Sequence, residues 1–510
     1  MGDRQDRVRS TQEKIKKGGP EKGHKKQLDA SKLFVRDRLK LFFDREEIRT
    51  EFGLMARNWN EELAADGVVC GSGEISGRSV FFTASDYTVK AGSIGQYHGE
   101  KLIRAQEAAI RARRPILYLI DSSGARIEET GGHHVDKRGA GQLFYYHSIM
   151  SGSVPQVGVL YGTCFAGTAY TPVFCDLLIM MKDSSMAIAS PRMVEMVIGQ
   201  KTTPDELGGA KMHAEVSGSA HFIAESELDA AKIVKKIFSY LPDNSEEKPP
   251  RYPEEEPEIS PDTLDEIIPP DANKPYSIQK LISAVVDRRS FLEVKEHYAK
   301  ELAVGFARIK GQVVGIVANN PLYKGGAIFP ESSDKGAEFV WLCDAYQIPL
   351  VYLVDTPGFM VGTQVERSAI LKRGRKFIYA TSSATVPRIC VIVRKSYGAG
   401  IYAMSGPAYD PDVTLALPSA EIAVMGPEAA INAVYFNHLA QITDPEERAK
   451  VTTELKEQYR QGYDIFKLAG EMVVDELIDP SQMRNEISSY LELFAKKSIQ
   501  LPPRRHSTII

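Results

Sequence analysis

Five segments of this chain recur, in order, about half a chain later. Gly71 in "GSGEISGRSV" matches Gly305 in "GFARIKGQVV", 234 residues on. The same spacing carries "YTVKAG" (Tyr87–Gly92) onto "PLYKGG" (Pro321–Gly326) and "PILYLIDSSG" (Pro115–Gly124) onto "PLVYLVDTPG" (Pro349–Gly358). "VPQVGVLYG" from Val154 then pairs with "VPRICVIVR" from Val386, and "MAIASP" (Met186–Pro191) with "IAVMGP" (Ile422–Pro427). Spacing that drifts by only a few residues over five ordered matches marks a duplicated domain of roughly 230 residues, far longer than a solenoid repeat. A seam lies between Leu241 and Pro275, where nine prolines and an acidic run, "YPEEEPE", predict an exposed, semi-rigid linker.

Each half alternates apolar runs with helical patterns. "ILYLID", "VGVLYG", "VYLVD" and "ICVIV" read as strands buried on both faces. "GEKLIRAQEAAIRARR" and "DKGAEFVWLCDAYQ" have helical spacing, as does Asp444–Leu468. The alternation predicts an α/β fold in both halves. The stretch Ser151–Cys175 carries no charge, but Pro155, Pro172 and four glycines make it a buried strand, a turn and a buried helix start rather than a membrane span.

Composition removes several function classes. Of 510 residues 43% are hydrophobic and 25% charged, and the net charge of −4 gives no overall attraction to nucleic acid or acidic lipid. Cys70, Cys164, Cys175, Cys343 and Cys390 are far apart, which argues against a zinc site and a disulfide framework and fits a reducing compartment, the cytoplasm. The polar N-terminus shows no secretory signal; its first 26 residues hold nine Lys/Arg against four acids, either a solvated helix face or a contact for the phosphates of a nucleotide-like ligand. No G-x-S-x-G elbow, H-E-x-x-H, P-loop or G-x-G-x-x-G is present. The adjacent His133 and His134 point apart and make a poor metal site.

What remains is backbone. Each half ends a buried strand with a small-residue turn that opens a helix: Ala166-Gly167-Thr168 in "GTCFAGTAYTP" and Gly398-Ala399-Gly400 in "RKSYGAGIYAM". Free N–H groups at a helix start favour negative charge, and two aimed at one oxygen form an oxyanion hole. The same residues also suit tight helix–strand packing. With backbone donors alone, the demanding chemistry falls to a cofactor.

"ASKLFVRDRLKLFFD", "DSSGARIEE", "SPRMVEMVIG", "ELGGAKMH", "KPYSIQKLI", "VDTPGFMVGTQVE" and "AEIAVMGPEAA" together resemble the carboxyltransferase subunits of biotin-dependent acyl-CoA carboxylases, from about Lys32 to the C-terminus. The resemblance implies two tandem crotonase-like (ClpP/crotonase) superdomains: residues 1–257 for acyl-CoA and 265–510 for biotin. It implies carboxyl transfer from carboxybiotin on a separate carrier to a short acyl-CoA through stabilised enolates, with no metal in this chain. Its implied partners are a biotin carboxylase and a biotin carrier subunit, with no nucleic acid and no membrane insertion. It also implies a hexamer, with sites between one subunit's N-half and another's C-half. It places the acyl oxyanion turn at Ala166-Gly167, where relatives often have Gly-Gly, and the biotin turn at Ala399-Gly400. Gly124, Ala125 and Thr168 fall on the acyl-CoA side. Tyr402 stands where many propionyl-CoA enzymes carry an Asp that selects the acyl chain; it points to a methylcrotonyl-type substrate, whereas "AEIAVMG" points to a propionyl type, and the acyl group stays open. The duplication argues against a single-superdomain hydratase, and the paired turns argue against a scaffold. The other reading is the equivalent subunit of a sodium-pumping acyl-CoA decarboxylase, which works the same half-reaction backward.

Overall fold

The computed structural model describes residues 2–129, 136–503 and 508–509; the His133-His134 pair lies outside them. The chain divides into two compact units, Met1–Pro249 and Pro250–Ile510. In the first unit the strands are β1 (Thr50–Phe52), β2 (Val68–Ile75), β3 (Arg78–Ser85), β4 (Ile116–Ile120), β5 (Gln156–Leu160), β6 (Thr163–Phe165), β7 (Leu177–Met181), β8 (Ser185–Ala187) and β9 (Phe222–Ala224). The main sheet has the order β1-β2-β3-β4-β5-β7-β9, and β6 pairs with β8 beside it. β1, β2 and β3 are antiparallel neighbours, and every pairing from β3 onward is parallel.

The second unit repeats this plan with β10 (Leu292–Val294), β11 (Leu302–Ile309), β12 (Gln312–Asn319), β13 (Leu350–Thr356), β14 (Arg388–Tyr397), β15 (Val413–Ala416), β16 (Glu421–Ala423) and β17 (Glu476–Leu477). Its order is β10-β11-β12-β13-β14-β15-β17, with β16 on the far end of β14. The registers repeat too: Glu51 faces Gly71, and Glu293 faces Gly305. β4 is buried at every residue, as is β13, so both read as continuous apolar runs. The predicted helices form as Gln96–Ala112 and Pro330–Ala345. Each carries one buried lysine that pins the chain ahead of the hairpin: Lys101 Nζ donates to the carbonyls of Ala65 (3.0 Å) and Val68, and Lys335 Nζ to that of Tyr298 (2.8 Å).

Three expectations change. Most of the proline-rich seam is packed onto the second unit: Tyr252 N–H donates to Gly311 O (2.9 Å), Arg484 donates to Glu255 O (2.7 Å), and Leu264 and Ile268 enter the core. The apolar residues between the prolines make this segment a strap rather than a free linker. Asp444–Leu468 divides into the helices Pro445–Gly462 and Ile465–Gly470, because the Asp464 carboxylate accepts from Phe466 and Lys467 N–H and starts a new helix. The helix start after β6 is exposed at Ala166 and Gly167, not buried. No helix among the described residues is long and apolar enough to cross a membrane.

What positions the turns is buried charge. Asp121, just past β4, is buried and binds Lys32 Nζ (2.6 Å) and both terminal nitrogens of Arg38 (3.3 Å). Arg38, in the helix Val35–Phe42, also binds Glu227 (2.7 Å) and lies 3.8 Å over the Tyr161 ring. Asp355 in the second unit binds Arg394 (2.9 Å) and Lys395 (3.1 Å), and Arg394 lies 4.7 Å over Tyr276 and donates to the carbonyls of Asp271 and Lys274. The peptide of each aspartate packs on a glycine: a Cβ on Gly92 would sit 2.0 Å from Asp121 O, and one on Gly326 2.5 Å from Asp355 O.

Two outcomes follow for stability. Gly325 and Gly326 both have positive φ, but a Cβ on Gly325 meets nothing within 4 Å, and Ala91 already holds its place in the first unit. Gly325→Ala should therefore cost about 1 kcal/mol in denaturant unfolding, and Gly326→Ala clearly more. Asp121→Ala leaves Lys32 without its counter-charge and Arg38 with Glu227 alone, and should cost about 3 kcal/mol; a loss below about 1 kcal/mol would show that the cluster does not hold the unit together.

Candidate functional site

The strand ends of each unit carry two turns. The first follows β4 or β13. Gly124 has φ +110° and Gly358 has φ +106°, conformations that L side chains rarely adopt. Gly124 O accepts from Ile94 N–H (2.8 Å) and Arg126 N–H donates back to Ile94 O (2.9 Å). The second unit repeats this with Gly358, Ile328 and Met360, both bonds at 2.9 Å. Ala125 and Phe359 are the bridge residues between those bonds, so their own N–H groups face away from the bridge. Ala125 is exposed, Gly124 buried.

The second turn opens a helix. Ala166 is left-handed at φ +59°, and Ala166–Ala169 forms a single 3-10 turn ahead of the helix Tyr170–Phe174. Gly398 takes the same conformation at φ +58° ahead of the helix Gly400–Ala403. An alanine held left-handed carries about 1 kcal/mol of strain, so the surroundings impose the turn. Gly398 N–H donates to Ala423 O (3.0 Å), which anchors the turn to β16. The next donors, the N–H groups of Ala399 and Gly400, stand at the helix start, where no carbonyl one turn earlier is available. Gly167 and Thr168 stand likewise in the first unit. Ala166, Gly167 and Ala399 are exposed; Gly400 is buried.

The two turns of each unit come together. A Cβ on Gly400 would lie 2.8 Å from Gly358 Cα, a backbone-on-backbone contact that only glycine allows. In the first unit Ser122 and Thr168 line one cavity, and a Cβ on Gly167 would meet only the Phe144 ring at 4.0 Å. The first turn pair is therefore the roomier. The Thr168 hydroxyl donates to Phe165 O (2.8 Å) and so braces the turn. Tyr402, on the short helix, is 38% exposed and stacks on Tyr409 with ring centres 5.0 Å apart, so it is not a core residue.

Side-chain chemistry is muted here. Burial pushes the Cys164 thiol up to about 11 and the Cys70 thiol up to about 12, which leaves both protonated and unreactive. Among the described residues no group of three or more His, Cys, Asp or Glu could hold a metal ion. Sequence reasoning placed Gly398 in the turn but not its left-handed role, and passed over Phe359 and the buried pair Asp121 and Asp355. The signal was present, since "LID" and "LVD" recur at the same place in the repeat.

Comparison with known proteins agrees with this geometry. The carboxyl transferase domain family matches residues 26–509. The uncharacterized carboxylase YngE of Bacillus subtilis (strain 168) is 46% identical over 97% of this chain and 96% of its own. The carboxyltransferase subunit of the Haloferax mediterranei propionyl-CoA carboxylase is 39% identical over 100% and 99%. The transcarboxylase 12S crystal structure, a hexamer with methylmalonyl-coenzyme A and methylmalonic acid bound, superposes with a TM-score of 0.93 at 38% identity and covers 100% of this chain and 98% of its own. Two crotonase-like units with paired backbone turns, matched end to end, place this chain in the carboxyl transferase domain family, as a carboxyltransferase of the acyl-CoA carboxylase kind.

Proposed function

We propose that this chain moves a carboxyl group onto a short acyl-CoA held by its N-terminal unit, with the carboxyl donor received by its C-terminal unit. The observation that supports it most is the same pair of turns in both units, each presenting backbone N–H donors. In the N-terminal unit the N–H groups of Ala125 and of Gly167, in the Ala166-Gly167 turn, would bind the thioester oxygen and stabilise it as charge builds during loss of the α-proton. In the C-terminal unit those of Phe359 and Ala399–Gly400 would serve a second carbonyl oxygen. Carboxybiotin, on a separate carrier protein, supplies the carboxyl group there. A planar urea carbonyl suits a site walled by the Gly358 and Gly400 backbones, and neither glycine leaves room for a side chain. A biotin carboxylase and a biotin carrier complete the enzyme.

Assembly into a homohexamer fits two exposed apolar faces: Met196, Val197 and Ile198 on the helix Pro191–Ile198, and Val434 and Phe436 on the helix Pro427–Gln441. Light scattering should then give a mass near six times 56.5 kDa.

The pure chain should carry no biotin on a streptavidin blot. Given the carboxylated carrier, it should carboxylate a short acyl-CoA. A Cβ on Gly167 meets only the Phe144 ring at 4.0 Å, so Gly167→Val should fold while its branched side chain crowds the oxygen off the N–H donors; slowing by roughly 10²–10³ would place that turn at the reacting oxygen, whereas turnover within a few-fold of wild type would make it structural only.

Tyr402 borders the acyl group in this reading. Tyr402→Asp should reorder acetyl-, propionyl-, butyryl- and methylcrotonyl-CoA by roughly 10–200-fold in kcat/KM. An unchanged order at normal rates would put selection elsewhere.

A further inference from the structure

Tyr397 ends β14 and stands directly ahead of the turn Gly398-Ala399-Gly400. Its peptide also meets the unit's first turn: a Cβ on Gly358 would lie 3.0 Å from Tyr397 O. The ring is buried and passes Gly426, where a Cβ would lie 3.0 Å from Tyr397 Cε2. Its hydroxyl donates to the carboxylate of Glu421 on β16. The main chain makes a second tie to the same strand, Gly398 N–H to Ala423 O (3.0 Å). Burial raises the phenol well above its ordinary pKa, and the Glu421 carboxylate raises it further, so the hydroxyl stays a donor.

The duplication supplies a control. β6 pairs with β8 in the register in which β14 pairs with β16, so Phe165 takes the place of Tyr397 and Ser185 that of Glu421. The residues that follow, Ala166 and Gly398, have the same left-handed conformation, φ +59° and +58°. A phenylalanine thus builds this turn with no side-chain hydrogen bond to the neighbouring strand, and Ser185 Oγ has no hydrogen-bond partner. Gly426 is Ser190 in the first unit, where the side chain caps a helix. Three residues therefore differ together: the tyrosine, its acceptor and the glycine that makes room for the ring. The turn folds without them. What they add is a link between the residue that leads into the N–H donors and a second strand.

We infer that Tyr397 and Glu421 are a positioning pair for the C-terminal unit, holding the N–H groups of Ala399 and Gly400 at a fixed distance from that of Phe359. The inference rests on the proposed use of those donors at a carbonyl oxygen of the carboxyl donor. Such a link acts on rate, since fixed donors need no reorientation as charge develops and a displacement of about 1 Å can cost roughly 10²-fold.

The test is steady-state kinetics of the intact purified protein with the carboxylated carrier and whichever of acetyl-, propionyl-, butyryl- and methylcrotonyl-CoA wild type turns over fastest. Tyr397→Phe installs the residue the first unit already has, and should melt within about 4 °C of wild type, the worth of one hydrogen bond. Its kcat should fall by roughly ten- to a hundredfold, while the KM for the acyl-CoA stays within about twofold. Glu421→Ala should reproduce that loss. Glu421→Gln keeps an acceptor oxygen and should recover most of the rate. A Tyr397→Phe variant whose kcat stays within a few-fold of wild type overturns the inference. So does one that fails to fold or weakens acyl-CoA binding as much as it slows turnover, since the pair would then be structural. Glu421→Gln as slow as Glu421→Ala overturns it too. If wild type itself transfers no carboxyl group, the proposed function falls and the inference with it; if wild type works and the variants match it, only the inference falls.

Discussion

Each unit depends on one carboxylate buried past the middle of its parallel sheet. Asp121 and Asp355 are almost wholly withdrawn from water, where an unpaired charge would be prohibitive. The pairing draws in segments that lie outside the sheet proper. Lys32 and Arg38 bring the N-terminal helices onto the first unit, and Arg394 ties the segment carrying Asp271, Lys274 and Tyr276 onto the second. These peripheral segments are part of the site, because the same aspartates start the turns that end in Gly124 and Gly358. The close fit of each aspartate carbonyl against Gly92 or Gly326 then fixes the height of the turn above the preceding loop.

The duplication shows which features of this device matter. In the first unit the arginine comes from a preceding helix and the tyrosine follows β5; in the second the arginine is on β14 and the tyrosine precedes the sheet. The residues have exchanged places, while the arrangement of carboxylate, guanidinium and aromatic face persists. Where a left-handed residue is needed, the halves also differ: Ala91 against Gly325, and Ala166 against Gly398. Alanine tolerates that conformation at modest cost when packing on both sides fixes the backbone.

Much of this was legible in the chain itself. The repeat spacing located both units, and the apolar runs located the central strands, because residues buried on both faces leave no polar alternation to confuse the reading. Ala166, Gly167, Ala399 and Gly400 were found as strand-end turns, and the structure brings these turns beside the first turn of each unit, Gly400 against Gly358 and Thr168 on one cavity with Ser122. The seam was misread because composition records prolines and acids, whereas Leu264 and Ile268 among them decide that the segment packs. The left-handed role of Gly398 was missed because a run of small residues does not reveal which one reverses the chain. The ion clusters escaped because Arg38 and Asp121 are 83 residues apart, and pairing at that range follows from the fold alone.

A site built from backbone donors has little means of choosing its ligand except by shape. The units differ in that respect. Gly400 lies against the Gly358 backbone with no room for even a methyl group, whereas Gly167 faces open space and a cavity runs beneath its turn. On the proposed assignment the cramped turn receives biotin, which is the same molecule at every turnover, and the roomy turn receives acyl groups, which vary from one enzyme of this family to the next. A rigid backbone wall suits an invariant ligand, since any loosening would weaken electrostatic preorganisation with no gain in range. A turn with space behind it can be retuned by single side chains, Leu143 and Thr171 among them, without moving the N–H donors that stabilise charge. Separating the donors from the cavity wall lets substrate range change while the catalytic geometry stays fixed.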